Sequence, residues 1–371
     1  MNRPEIKKIF KRILTLPTAP FNEQFVAAEI EKFAREQGFE TRRDAYHNLL
    51  VIYKPKGNLG KGRLGFVAHM DHPGFDIIEC NKNKAVAKWW GGVWKPYFKK
   101  ASVVVTHNGK PIKGKVTKVT PKEGFPKRVD TMQLTLESEV AVGDFGQWDL
   151  DAFRMDKSLV VTRAADDLCS VVAQLAMLQE LKKRRIKKEV WLIFTRAEEN
   201  GFNGAQAMVD SGILPKDLLL ISLETSLALP GAEQGGGPVI RLGDAMTTYS
   251  TGLLLYMQDC AKEIVKLSPK FKYSRRVMDG GMCEASLFVC NGFTTAGIAF
   301  PLGNYHNMGK ENGKPVLKEE TVHIDDVING VELMLMMAKR LKDYPKTLTS
   351  LQKRLKNHSK SFYKKLKENP V

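Results

Sequence analysis

The chain has 371 residues, 43% hydrophobic and 27% charged, enough to bury a large core and too long for one minimal domain. Its 58 Lys and Arg against 41 Asp and Glu give a formal charge of +17, and no stretch is long and apolar enough to span a bilayer. Five scattered cysteines without a Cys-x-x-Cys pair argue against a disulfide framework or a thiolate metal site. With no apolar segment of a secretory signal at Met1–Lys8, they read as reduced thiols of a cytoplasmic protein.

Residues Arg3 to Leu14 and Glu23 to Gln37 carry helical apolar spacing, and Gly38 stops the second helix. Asn48 to Tyr53 and Leu64 to Ala68 read as strands, the latter ending in His69-Met70-Asp71-His72. A neutral imidazole at a strand end, with a carboxylate two residues on, suits a zinc ligand and its orienting group. Taken alone, His69 reads rather as a core histidine bonded to a carbonyl. From about Phe75 to Phe153 helical periodicity disappears and short β-like runs alternate with turns. Asn108-Gly109 between extended runs predicts a hairpin. This stretch reads as an inserted β domain, residues 75–153, within a catalytic domain of residues 1–74 and 154–371. Trp89, Trp90 and Trp94 either line a substrate cleft or fill the core of that insertion.

The main domain resumes at Leu159. Asp166 and Asp167 sit where the buried helix from Leu168 to Leu181 begins, so one can cap the helix while the other holds a metal. The strand Val190 to Phe194 runs into Glu198-Glu199, paired acids of which one can bind metal while the other moves protons. Leu218 to Leu223 leads to Glu224. Gly235-Gly236-Gly237 lacks the Gly-Lys-Ser/Thr of a phosphate loop. A long helix is expected from Ala245 to Leu267, a core strand from Thr294 to Phe300 with His306 on the loop beyond, and a helix from Val331 to Leu341. The basic tail, Lys339 to Lys367, reads as the solvated face of a terminal helix rather than a nucleic-acid or membrane surface.

His69, Glu198, Glu199, Glu224, His306 and Asp166 thus fall on one rim of an α/β sheet, a mixed central sheet flanked by helices. In such sheets ligands bind beyond the carboxyl ends of the strands. Two histidines and three carboxylates, without cysteine, suit a pair of divalent ions sharing one carboxylate, zinc best and cobalt next.

The segments Ala68-His69-Met70-Asp71, Ala165-Asp166-Asp167, Glu198-Glu199-Asn200-Gly201, Gly237-Pro238-Val239-Ile240-Arg241 and Tyr305-His306 resemble, in order and spacing, the M42 metallo-aminopeptidases, related to the M20 and M28 enzymes. The β insertion and Gly143-Asp144 fit the same resemblance. Glu224 stands where that family usually has aspartate, and Leu168 where it usually has a basic residue. The resemblance implies that Asp166 bridges two metals, His69 and Glu224 completing one and Glu199 and His306 the other. It further implies Glu198 as general base, Asp71 as the group orienting His69, peptide substrates, and large hollow homo-oligomers built partly through the insertion. The expected activity is therefore removal of N-terminal residues from short peptides. The alternatives are an M20-type amidohydrolase acting on N-acyl amino acids or dipeptides and, more remotely, an inactive basic binding protein.

Overall fold

The computed structural model describes residues 1–368. Its centre is an eleven-stranded mixed sheet. Four neighbouring strands run parallel, in the order Val190–Thr195, Arg63–His69, Leu218–Leu227 and Thr295–Gly303. These strands are almost wholly buried, as near-continuous apolar runs covered on both faces should be. Antiparallel strands extend both sides: Leu49–Tyr53 beside Val190–Thr195, and Glu320–His323 then Leu159–Thr162 beside Thr295–Gly303.

One face of the sheet is covered by Arg3–Leu14, Gln24–Glu36, Leu168–Lys183, Thr251–Leu267 and Ile324–Arg340, which share its main apolar core. The other face packs against Asn203–Asp210 and Glu284–Cys290 through Met208 and Phe288, with Phe293 of the following turn beside them. Leu168–Lys183 is buried around nearly its whole circumference, whereas its neighbours each bury one side.

Between His69 and Leu159 the chain closes a six-stranded barrel, from Gly74–Asn81 to Phe145–Trp148. Its core packs Trp89, Phe98 and Trp148 together, with ring centroids 4.6 to 5.0 Å apart and Phe98 edge-on to both indoles. The expected hairpin is present: Ser102–His107 pairs with Lys110–Lys122 across Asn108 and Gly109, both at positive φ. The three tryptophans divide. Trp89 is barrel core, Trp90 is half-buried and donates its indole N–H to Asp76 Oδ2 at 2.7 Å, and Trp94 is exposed.

Two helices differ from the sequence reading. The one expected from Ala245 begins at Thr251, because the Asp244 carboxylate accepts the backbone N–H groups of Met246 and Thr247, at 2.9 and 3.1 Å, and holds that stretch in a turn. The last core helix begins at Ile324 rather than Val331, where the His323 ring accepts the Asp325 N–H. The triglycine loop is held by Asp326, whose carboxylate accepts from Gly235 and Gly237 N–H at 2.8 and 2.7 Å. The tail forms two exposed helices, Thr347–Lys360 and Tyr363–Glu368, without a buried residue. No helix among the described residues is long and apolar enough to cross a membrane.

Candidate active site

The four parallel strands deliver their functional side chains to one rim. His69 ends its strand, Glu224 lies late in Leu218–Leu227, Glu198 and Glu199 follow Thr195, and His306 follows Gly303. Asp166 enters from the turn before Leu168–Lys183, between the two histidines. Its Oδ1 lies 3.5 Å from His69 Nε2 and its Oδ2 lies 3.6 Å from His306 Nε2. His69 Nε2 is also 3.6 Å from Glu224 Oε1, and His306 Nε2 is 2.9 Å from Glu199 Oε1. Two trios result, His69 with Asp166 and Glu224, and Asp166 with Glu199 and His306. The donor atoms of each lie within 4.8 Å of one another. Glu198 belongs to neither trio and stands 3.9 Å from His69 Nε2.

The two glutamates do not lie on extended backbone. Ala197 is left-handed, at φ 49°, and Glu198–Asn200 form one 3₁₀ turn. The side chains still reach different places, Glu199 toward His306 and Glu198 toward His69. Gly204 makes room for this turn, since a Cβ there would lie 2.4 Å from Arg196 O and Asn48 Oδ1.

Three buried carboxylates brace the turns without joining either trio. Asp71 accepts the N–H groups of Glu198 and Glu199 at 3.0 and 3.1 Å, and its Oδ1 also lies 3.5 Å from His69 Nδ1. Glu23 accepts from Ala197 N–H and Arg196 Nε, at 2.9 and 2.7 Å. Glu320 accepts from Ala165 and Asp166 N–H with one oxygen, at 2.7 and 3.0 Å, and from His306 N–H with the other, at 2.7 Å. His306 is thereby held at φ 53°, a left-handed geometry that a non-glycine residue adopts only when its surroundings enforce it.

His72 also lies outside the trios, its ring nitrogens facing Asp166 O and Asn307 Oδ1 at 2.5 and 3.1 Å. Asp167 makes no side-chain cap to the helix it precedes. It accepts the Thr225 hydroxyl at 2.9 Å instead. Arg241, fully buried, approaches Glu224 Oε2 at 3.7 Å.

The electrostatics are those of a site crowded with negative charge. Burial pushes Glu198 well above the usual carboxylate range and raises Glu224. It lifts Glu284 and Glu320 to about 7. Burial would lower both histidines, but the surrounding carboxylates, Glu198 foremost for His69 and Glu199 for His306, outweigh it and raise both. Burial opposes ionisation of Asp166, yet the histidines hold its carboxyl below the ordinary range. Its Oδ1 is buried without a hydrogen-bond partner. Surplus buried carboxylates, an orphaned carboxylate oxygen and a donor set of nitrogen and oxygen alone fit divalent cations.

A parallel-centred sheet that gathers such donors on one rim is the architecture of a metal-dependent hydrolase. The chain belongs to the M42 glutamyl aminopeptidase family, whose sequence model matches residues 50–333. It is a metallo-aminopeptidase, a hydrolase of peptide bonds. No curated protein sequence matches it. Its fold is similar to that of the TET aminopeptidase of a marine sediment archaeon of the Thaumarchaeota. The two share 20% identity over 91% of this chain and 97% of the other, with a TM-score of 0.76. The TET1 peptidase of Pyrococcus horikoshii, which assembles into a tetrahedron or a large octahedral shell, is 22% identical over 90% of this chain and 99% of its own, with a TM-score of 0.73. An aminopeptidase of Desulfurococcus kamchatkensis gives 20%, 91%, 95% and 0.73.

Sequence reasoning missed Glu320. Nothing in its pattern announces it, because its work is accepting backbone N–H groups from two remote turns. The hairpin Met308–Glu311 with Lys314–Leu317, which separates Glu320 from His306, carried a readable signal in Asn312-Gly313.

Proposed function

We propose that the protein is a two-zinc aminopeptidase removing N-terminal residues from short peptides, with Asp166 as the shared ligand. His69 and Glu224 complete one ion's protein ligands, and Glu199 and His306 the other's. The observation that carries this reading is the Asp166 carboxylate between two histidines, each oxygen facing one of them. Divalent ions held by these residues would supply Lewis-acid chemistry, polarising the scissile carbonyl and lowering the pKa of the attacking water. Glu198, outside both trios, takes the proton from that water and passes it to the leaving amine. Asp71 keeps Glu198 and Glu199 in place through their backbone N–H groups and steadies His69. Arg241 faces the second oxygen of Glu224 and supports its orientation.

The barrel, assigned residues 75–153, borders the site and serves substrate access and self-assembly. Residues 1–74 and 154–371 form the catalytic domain. Five free cysteines support a cytoplasmic location. Purified protein assayed on amino-acid p-nitroanilides and on N-acyl amino acids tests the activity. Turnover of the first class alone supports the reading, and turnover of the second alone would favour an M20-type amidohydrolase.

A further inference from the structure

Two spaces flank the candidate centre. One, of about 130 Å³, lies beside Glu224, Arg241 and Tyr305. The other, of about 380 Å³, lies beside Glu199 and is walled by the barrel through Trp90, Gly92, Lys122 and Arg128. An aminopeptidase needs one space for the residue it removes and another for the rest of the peptide. The larger space is the one with uncompensated positive charge.

Lys88 in that cleft is neutralised by Asp130 at 2.5 Å. Arg128 is not neutralised. Its guanidinium lies 4.5 Å from the Trp94 ring centroid, and among the described residues no carboxylate comes within 4.0 Å of it. It is half-buried, and its Nη1 lies over Gly92, the barrel residue that also borders His306. A Cβ on Gly92 would lie 2.6 Å from Arg128 Nη1 and 3.3 Å from His306 Nδ1. Lys122, at the exposed tip of the same hairpin, is a second cation with no carboxylate within 4.0 Å among the described residues. The guanidinium lies over the Trp94 ring, and its N–H fork, the group that pairs with carboxylates, meets no acid among the described residues and is open to a ligand.

We propose that Arg128, with Lys122, binds a carboxylate on the part of the substrate that follows the scissile bond. Each peptide residue spans about 3.5 Å, so a remainder of one or two residues brings its C-terminal carboxylate into this cleft. Di- and tripeptides are then the preferred substrates. An acidic side chain in the same cleft offers the same chemistry. The inference deepens the aminopeptidase reading and rests on its placement of the centre.

The test is calorimetric binding to metal-loaded Glu198→Gln protein. The probes are a tripeptide, its C-terminal amide, and an amidated tripeptide with aspartate at the second position. The free acid should bind at least about tenfold more tightly than the neutral amide. Arg128→Met should abolish that preference without changing affinity for the neutral amide, and Arg128→Lys should keep part of it. If only the aspartyl amide gains affinity, the carboxylate recognised is a side chain and the short-peptide preference is overturned. Equal affinity for all three, or equal weakening of acid and neutral amide by Arg128→Met, overturns the whole proposal. Hydrolysis of these peptides by wild type is scored separately. Discrimination in binding without hydrolysis rejects the aminopeptidase reading while the cleft assignment stands.

Discussion

Glu198 and Glu199 are adjacent in sequence and differ in surroundings. Glu199 contacts His306, while Glu198 lies beyond both ligand trios within reach of the His69 side. Glu198→Gln keeps size and polarity but removes the base. The variant should fold, retain full metal content and lose about 10²–10⁴-fold in kcat. Glu199→Gln should instead lower metal content, as metal analysis of the folded variants would show. Near-normal turnover by Glu198→Gln, or loss of metal by it alone, would reverse the roles. His69→Ala and His306→Ala should each lower stoichiometry and lose most activity, whereas core histidines would change only stability. At this scale the sequence was legible where a side chain closes a buried apolar run, as His69 does at the end of its strand and Glu224 does late in Leu218–Leu227. It was silent where a side chain serves backbone groups, as Glu320 and Glu23 do, because such contacts leave no spacing to read.

Among the elements, the parallel strands were legible because burial on both faces makes them continuous apolar runs, and the helix Leu168–Lys183 for the same reason. The false helical start at Ala245 shows the limit, since one aspartate captured the backbone that the apolar pattern assigned to a helix. The triglycine loop is fixed by a similar capture. Gly237 sits at φ +88°, where a Cβ would meet Lys272 O at 2.0 Å. Gly237→Ala should therefore destabilise the fold by at least about 1–3 kcal/mol, read as a lower urea midpoint with unchanged slope.

The helices Leu168–Lys183 and Ile324–Arg340 are tied together by Arg184, which donates to Glu180 and Glu332, both at 2.7 Å. Burial pushes Glu332 up, but Arg184 outweighs it and holds the carboxyl below its usual range. A depressed folded-state pKa contributes stability that is present above the unfolded value, about 4.3, and is lost as pH falls through the folded one. Glu332→Gln should lower Tm at pH 7 by an amount equivalent to about 1 kcal/mol, and the difference from wild type should shrink below pH 4. A pH-independent difference would show that the ion pair is not its source.

Across the whole molecule, the barrel and the sheet meet at the site, with Gly92 of the barrel beside His306 of the catalytic rim. The barrel is expected to build a homo-oligomer, and light scattering at micromolar concentration should give a mass several times 41.7 kDa. A monomer would reject that expectation. The central claim is that Asp166 is shared by two ions, and its most direct measurement is metal content by elemental analysis after saturation with zinc and removal of the excess. Wild type should hold two zinc ions per chain, Glu224→Gln should lose the ion on the His69 side, and Asp166→Asn should lose both while the chain stays folded by circular dichroism. A wild-type content of one ion or fewer per chain, or an Asp166→Asn variant that keeps two, would contradict the account.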